Sequence, residues 1–244
     1  MRTVLVVVQY DGTDYHGFQR QPGLLTVQLE LEQALSRLLS EEVSIVGAGR
    51  TDAGVHALGQ VVTVETASPV PTEKFVSALN GLLSQAIAVV DAREMPEGFH
   101  PRYDAVGKLY RYRILNRRLP CPFAGRYAWH MPRSLDVSSM EEAAGVFLGR
   151  HDFVAFSSSG SGIEDTVRDL RRLEIERDGE IVEIRVEADG FLYMMMRRIV
   201  GALVDIGVEA FSIEELQAIL QSRDRCRCRT VAPPQGLSLI KVIY

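Results

Sequence analysis

Cysteine is scarce in this chain and forms no pattern. Cys121, Cys226 and Cys228 are the only three in 244 residues. An odd, low count argues against a disulfide framework and agrees with a reducing compartment. Cys226 and Cys228 lie two apart, with no histidine or third cysteine beside them. Zinc sites favour Cys-x-x-Cys pairs, so these read as free thiols on a basic segment, and no metal is expected. Long hydrophobic runs are missing as well. None approaches the ~20 residues that span a bilayer, so no membrane partner is expected. The Val-rich run after Met1 meets Tyr10-Asp11-Gly12 instead of the small residues of a cleavage site. It is expected to be a buried strand of a cytoplasmic protein and not a signal peptide.

An excess of positive charge is also lacking, since the formal net charge is −5. Its distribution is uneven. Residues 100–133 carry eight Lys and Arg against one acidic residue, and residues 221–244 carry five against one. Two basic stretches in an acidic background suit a phosphate backbone. The same arginines could instead pair with the acidic segments, and the total charge does not decide between the two.

What is present is 46% hydrophobic residues, enough for one large domain or two small ones. Val4 to Gln9 reads as a buried strand. Apolar residues at Val27, Leu31, Ala34, Leu35 and Leu38 form one helical face, with Thr26 as N-cap. Short strands over Val43 to Val46 and Gln60 to Glu65, a helix over Thr72 to Leu83 and a strand over Ala86 to Val90 follow. The order is β-α-β-β-α-β, and the second half repeats it. Lys108 to Leu115 alternates like a strand. Ser138 with Glu141 reads as a capping box opening a helix to about Leu148. Val167 to Glu176 and Ile181 to Val186 read as strands joined at Asp178-Gly179, a hairpin signal. Leu192 to Ile206 is an apolar helix, Ser212 with Glu215 caps a short one, and Leu237 to Ile243 is the last strand. The expectation is an α+β fold of two tandem ferredoxin-like units, residues 1–98 and 99–244, with mainly antiparallel sheets and a central RNA-binding cleft.

Gly49 to Val62 reads GRTDAGVHALGQVV, a loop held between two strands. Its glycines allow close approach to the backbone, and it presents Asp52 at its centre with Arg50 two residues before. A carboxylate beside a guanidinium stays ionised, which suits a nucleophile or base. A tight turn with Asp52 as a cap and Arg50 as its surface partner is the plainer reading. On the Lys108 to Arg113 strand, Lys108, Tyr110 and Tyr112 share one face, while Arg111 and Arg113 share the other. An aromatic among cations is what a flipped base stacks on; a tyrosine packed on a sheet face is the alternative. Arg197 stands in an otherwise apolar helix, where an unpaired cation is costly if buried. The five histidines are scattered, and no Ser or Cys near His56 completes a triad.

These blocks resemble the tRNA pseudouridine synthase A family. The resemblance rests on GRTDAGVHA, with YDGTDYHGFQRQ from Tyr10, FHPRYDAVGKLYRYRI from Phe99, GRHDFVAF from Gly149, FLYMMMRRIVG from Phe191 and APPQGLSL from Ala232. It covers essentially the whole length in the right order. It implies an isomerase that converts uridine to pseudouridine at positions 38 to 40 of the tRNA anticodon stem-loop, working as a homodimer without a cofactor. It implies that Asp52 is the essential catalytic aspartate, aided by Arg50, with Arg197 holding the carboxylate. It places Tyr110 on the substrate and Leu237 against the uracil, and Lys108 and Arg111 of the same basic strand are taken as substrate-binding with Tyr110. Ser238 stands where the family commonly has tyrosine. Three rivals remain: a passive RNA-binding module, an aspartate-nucleophile phosphatase suggested by Asp11 and Asp14, and a glycoside hydrolase. The first has no need of the Asp52 loop, the second wants aspartates two apart, and the third wants a second carboxyl.

Overall fold

The structure, a computed structural model, describes residues 1–159 and 164–244. Contacts divide the chain into two compact units. One is Met1–Val106 with Ser238–Tyr244, and the other is Gly107–Leu237. The sequence reading put the join near residue 98 and the whole last strand in the second half. The contacts group residues 238–244 with the first unit.

In the first unit, β1 (Arg2–Tyr10), β3 (His56–Thr66) and β4 (Ile87–Met95) form an antiparallel sheet with β1 in the middle. The short β2 (Ile45–Gly47) pairs antiparallel with β3. The order β4-β1-β3-β2 is that of a ferredoxin-like unit, as expected. Val4, Leu5, Val6 and Val8 are fully buried, while Val7 and Gln9 of the same strand are half-buried. Helix α1 (Val27–Leu39) lays Val27, Leu31, Ala34 and Leu35 onto the core, and Thr26 caps it by accepting the Leu29 N–H. The next helix is shorter than the pattern suggests. A 3-10 turn (Thr72–Lys74) leads into α2 (Phe75–Asn80). The Asn80 side chain then ties α2 to β4, exchanging two 2.8 Å hydrogen bonds with the Val89 backbone. The last strand, β10 (Leu237–Ile243), pairs in parallel with β3, Ser238 opposite His56 and Leu239 opposite Ala57.

In the second unit, β5 (Gly107–Asn116), β9 (Ile181–Ala188), β8 (Val167–Asp178) and β7 (Gly149–Asp152) are successive antiparallel neighbours. A short β6 (Trp129–Met131) runs parallel to β5. The β8–β9 hairpin turns at Gly179, whose φ of +56° explains the glycine there. Helix α4 (Met195–Gly207) buries Met195, Met196, Ile199, Val200 and Leu203. Ser212 and Glu215 form the expected capping box of α5 (Ile213–Ser222). The expected cap of α3 (Val137–Ala144) is corrected. Asp136, and not Ser138, caps this helix by accepting the Ser139 N–H. A carboxylate at that position also answers the partial positive charge of the helix start, so it outcompetes the hydroxyl two residues on. Helix α3 ends at Ala144, where a 3-10 turn (Gly145–Phe147) takes over. Among the described residues, no helix is long and apolar enough to cross a membrane.

Candidate active site

The segment carrying Asp52 connects β2 to β3, and the loop that follows β1 packs directly against it. The Phe18 N–H donates to the Thr51 carbonyl at 3.0 Å, and the Gly54 N–H to the Tyr15 carbonyl at 3.3 Å. Gly17 has a φ of +91°, and a Cβ there would lie 2.9 Å from the Thr51 carbonyl oxygen and 3.2 Å from the Ala53 nitrogen. A Cβ on Gly12 would lie 2.0 Å from the Val55 carbonyl oxygen. No side chain fits at either place, so the Tyr10–Gln21 and Gly49–Val62 blocks are packed backbone against backbone. That contact explains why two motifs about forty residues apart occur together.

Beneath the loop lies a buried polar network that the sequence reading missed. The Tyr10 hydroxyl lies 2.8 Å from Thr51 Oγ1, next in the chain to Asp52. Gln60, fully buried in β3, donates its Nε2 to the Gly49 carbonyl at 3.0 Å. Its side chain also reaches the Tyr10 hydroxyl. Burial pushes the Tyr10 phenol up to about 12, against the opposing bonds from Thr51 and Gln60, so it stays neutral at physiological pH. A glutamine in a strand as apolar as β3 was the available clue, because a buried amide must find partners. His56 is buried on the other side of the loop. Its Nδ1 faces the Gly12 N–H at 3.1 Å and Asp11 Oδ1 at 3.2 Å, so the histidine braces the opening loop.

Within this frame Asp52 is half-buried at the loop centre. Arg50 is exposed.

The second unit gathers most of the other candidate residues. Tyr110 and Tyr112 lie on the buried face of β5, at 7% and 0% exposure. The Tyr110 ring packs edge-on against Phe191, centroids 4.8 Å apart, and Lys108 is half-buried at the start of the same face. The Tyr112 hydroxyl donates to the Pro233 carbonyl at 2.7 Å. Burial pushes that phenol well up, and the nearby Arg197 charge partly opposes the shift. Arg197 is fixed at its root: its Nε donates to the Ala232 carbonyl at 2.7 Å, and the Ala232 N–H returns a bond to the Arg197 carbonyl at 3.0 Å. Strand β5, helix α4 and the 232–237 segment are thereby tied together, and the segment ends at the buried Leu237. The expectation that Arg198 marks a solvated edge is corrected. It is half-buried, with Nε donating to Ser158 Oγ at 3.3 Å and a terminal nitrogen to the Cys228 carbonyl at 2.9 Å.

Arg111 and Arg113 lie on the opposite face of β5. Both approach Glu183, at 3.8 and 3.9 Å, and Arg185 joins the same carboxylate. Burial draws the Arg111 guanidinium below its ordinary value, while Glu183 opposes the shift. Among the described residues, no three His, Cys, Asp or Glu side chains gather as a metal site.

A family description, tRNA pseudouridine synthase, matches residues 6–104 and 143–244. The chain belongs to that family. It is 46% identical over 244 residues to the tRNA pseudouridine synthase A of Thermoanaerobacter pseudethanolicus, covering the whole of both proteins. The enzyme of the same name from Acetivibrio thermocellus is 43% identical, again over the full length of both. Among solved structures, an archaeal box H/ACA sRNP Nop10-Cbf5 complex matches 95% of this chain and 58% of its own at 14% identity. Its TM-score is 0.37, too low to add to the argument. Both loop-packing motifs, helix α4 and the 232–237 segment lie inside the matched stretches, whereas β5 with Tyr110 falls between them.

The buried network yields a stability test. Tyr10→Phe keeps the ring but leaves Thr51 Oγ1 without its buried partner, a loss of about 1–3 kcal/mol. Gly17→Ala is expected to cost more, since it forces both a positive φ and a backbone clash. Chemical denaturation measures both; a Tyr10→Phe protein as stable as the parent contradicts the network's role.

Proposed function

We propose that this chain is an isomerase that converts uridine to pseudouridine in the anticodon stem-loop of tRNA, at positions 38 to 40, with Asp52 as its essential catalytic residue. The observation that carries the reading is the Asp52 loop itself. A carboxylate is held half-buried on a loop whose backbone is locked from one side by the Tyr10–Phe18 segment and from below by Tyr10, Thr51 and Gln60. A passive RNA binder has no use for such a fixed carboxylate, whereas bond exchange at the glycosidic carbon needs one that does not drift. Full-length identity to proteins named tRNA pseudouridine synthase A supports the substrate. The reaction moves no electrons to or from the substrate as a whole, so it needs no redox cofactor.

The other roles belong to the same proposal. Arg197, its Nε tied to Ala232, holds the Asp52 carboxylate. Tyr110 and Leu237 bound the uracil, and the exposed Arg50, two residues before Asp52, assists that carboxylate. The enzyme works as a homodimer in the cytoplasm, and light scattering of the purified protein tests the dimer.

Asp52→Asn is expected to abolish pseudouridine formation in single-turnover assays while tRNA affinity and unfolding midpoint stay close to the parent's. Substantial conversion by Asp52→Asn removes the mechanism. Tyr110→Ala is expected to slow the same step, and a parental rate returns Tyr110 to a purely structural place.

The two basic residues of β5 are distinguished by salt. Lys108, on the Tyr110 face, is proposed to meet a phosphate, so Lys108→Ala should flatten the log–log salt dependence of tRNA binding by about one unit. Arg111 is assigned a smaller share, because it already shares Glu183 with two other arginines. Arg111→Ala should flatten the slope by less, and a full unit lost there would show that it contacts RNA as directly as Lys108.

A further inference from the structure

The connection from β5 to β6 has no place in the site described above. Residues 105–135 contain no aspartate or glutamate, and residues 117–127 within them read RRLPCPFAGRY. This loop is built, not loose. Arg117 donates from Nε to the Leu119 carbonyl at 2.7 Å and from a terminal nitrogen to Glu180 at 2.8 Å. The His130 ring holds the Arg117 carbonyl at 2.9 Å. Backbone bonds from Gly125 to Cys121 (2.8 Å) and from Tyr127 to Ala124 (2.9 Å) close two turns. Pro120 and Pro122 fix two φ angles between them.

The loop so stiffened presents its apolar residues to solvent. Phe123 is 90% exposed and Leu119 65% exposed. Arg118 is exposed beside them. A phenylalanine at the tip of an ordered loop contributes nothing to the core, and ordering it there gains nothing for the fold alone. The stretch around it in sequence is cationic, and Glu180, which reaches the loop, is already paired with Arg117. An aromatic face among arginines suits a partner that is anionic and has flat faces of its own. A second copy of the chain fits less well, because a two-fold contact through this loop would set the same basic stretch against itself.

We propose that the 117–127 loop is a stacking platform for RNA, on which an unpaired base of the substrate lies against Phe123 while Arg118 meets its phosphate. The proposal rests on the reading that the substrate is RNA, and it adds a contact that holds the RNA without taking part in the chemistry. Stacking is tolerant of sequence, so the platform adds affinity to every substrate alike.

The test measures tRNA affinity and single-turnover conversion on the full-length protein, side by side. Phe123→Ala is expected to weaken tRNA binding about 5- to 150-fold, the range that one lost base stack gives. Its conversion rate at saturating protein should remain that of the parent. Phe123→Trp restores a flat ring and should bind like the parent, whereas Phe123→Leu keeps only apolar bulk and should not. Phe123 lies outside the core, so unfolding midpoints should not move. Unchanged affinity in Phe123→Ala overturns the proposal. So does a loss of affinity that Phe123→Leu repairs, or one that follows dissociation of an oligomer in sedimentation, because either marks the loop as a protein contact. Asp52→Asn gives the opposite pattern, binding without conversion. If Asp52→Asn converts normally while Phe123→Ala binds poorly, the catalytic assignment falls and the platform stands.

Discussion

The arrangement around Asp52 depends on one constraint, the backbone-against-backbone contact between the loop after β1 and the loop before β3. Gly12 and Gly17 permit it because no Cβ fits between the two chains. Tyr10, Thr51 and Gln60, all buried, complete it from beneath. A low-dielectric setting makes such a network stiff when every member is satisfied and costly when one is not. A carboxylate on a loop held in this way keeps its position without being part of a strand or helix, which leaves it half-exposed to a substrate.

The second unit uses its sheet in two ways. On the buried face of β5, Tyr110 and Tyr112 reach toward Phe191 and Pro233, and Arg197 anchors the same 232–237 segment from α4. On the opposite face, Arg111, Arg113 and Arg185 surround Glu183, while Arg185 also meets Glu176. The positive charge that stands out along the sequence is thus partly neutralised across the strands. Cross-strand pairing uses it before a ligand can. Glu183 is one of the acidic residues of the second unit, so for Arg111 and Arg113 the pairing with acidic segments is the one the structure contains.

Much of this was legible in the sequence. Thr26 as a cap, the Asp178-Gly179 turn and the Ser212–Glu215 box each depend on residues within a few positions of one another, and each is present. The first unit's order followed from hydrophobic periodicity alone. The misses have identifiable causes. Strands β6 and β7 are three and four residues long, too short to show an alternation. At α3 two capping residues competed within three positions, and the carboxylate won. The pairing of β10 with β3 joins segments almost two hundred residues apart, and no local signal encodes that. For the site, the GRTDAG loop located Asp52, but the bond from Tyr10 to Thr51 spans 41 positions and is visible only once the chain is folded.

The central claim is that a fixed carboxylate in this fold isomerises uridine in tRNA unaided by any added group. Carbodiimide mapping of unmodified tRNA after incubation with the purified protein, in chelator and without cofactor, tests it most directly. The account predicts alkali-stable adducts at uridines of the anticodon stem-loop, absent from tRNA incubated without the protein. Unmodified uridines throughout, or adducts that form only when a metal or cofactor is restored, would contradict it.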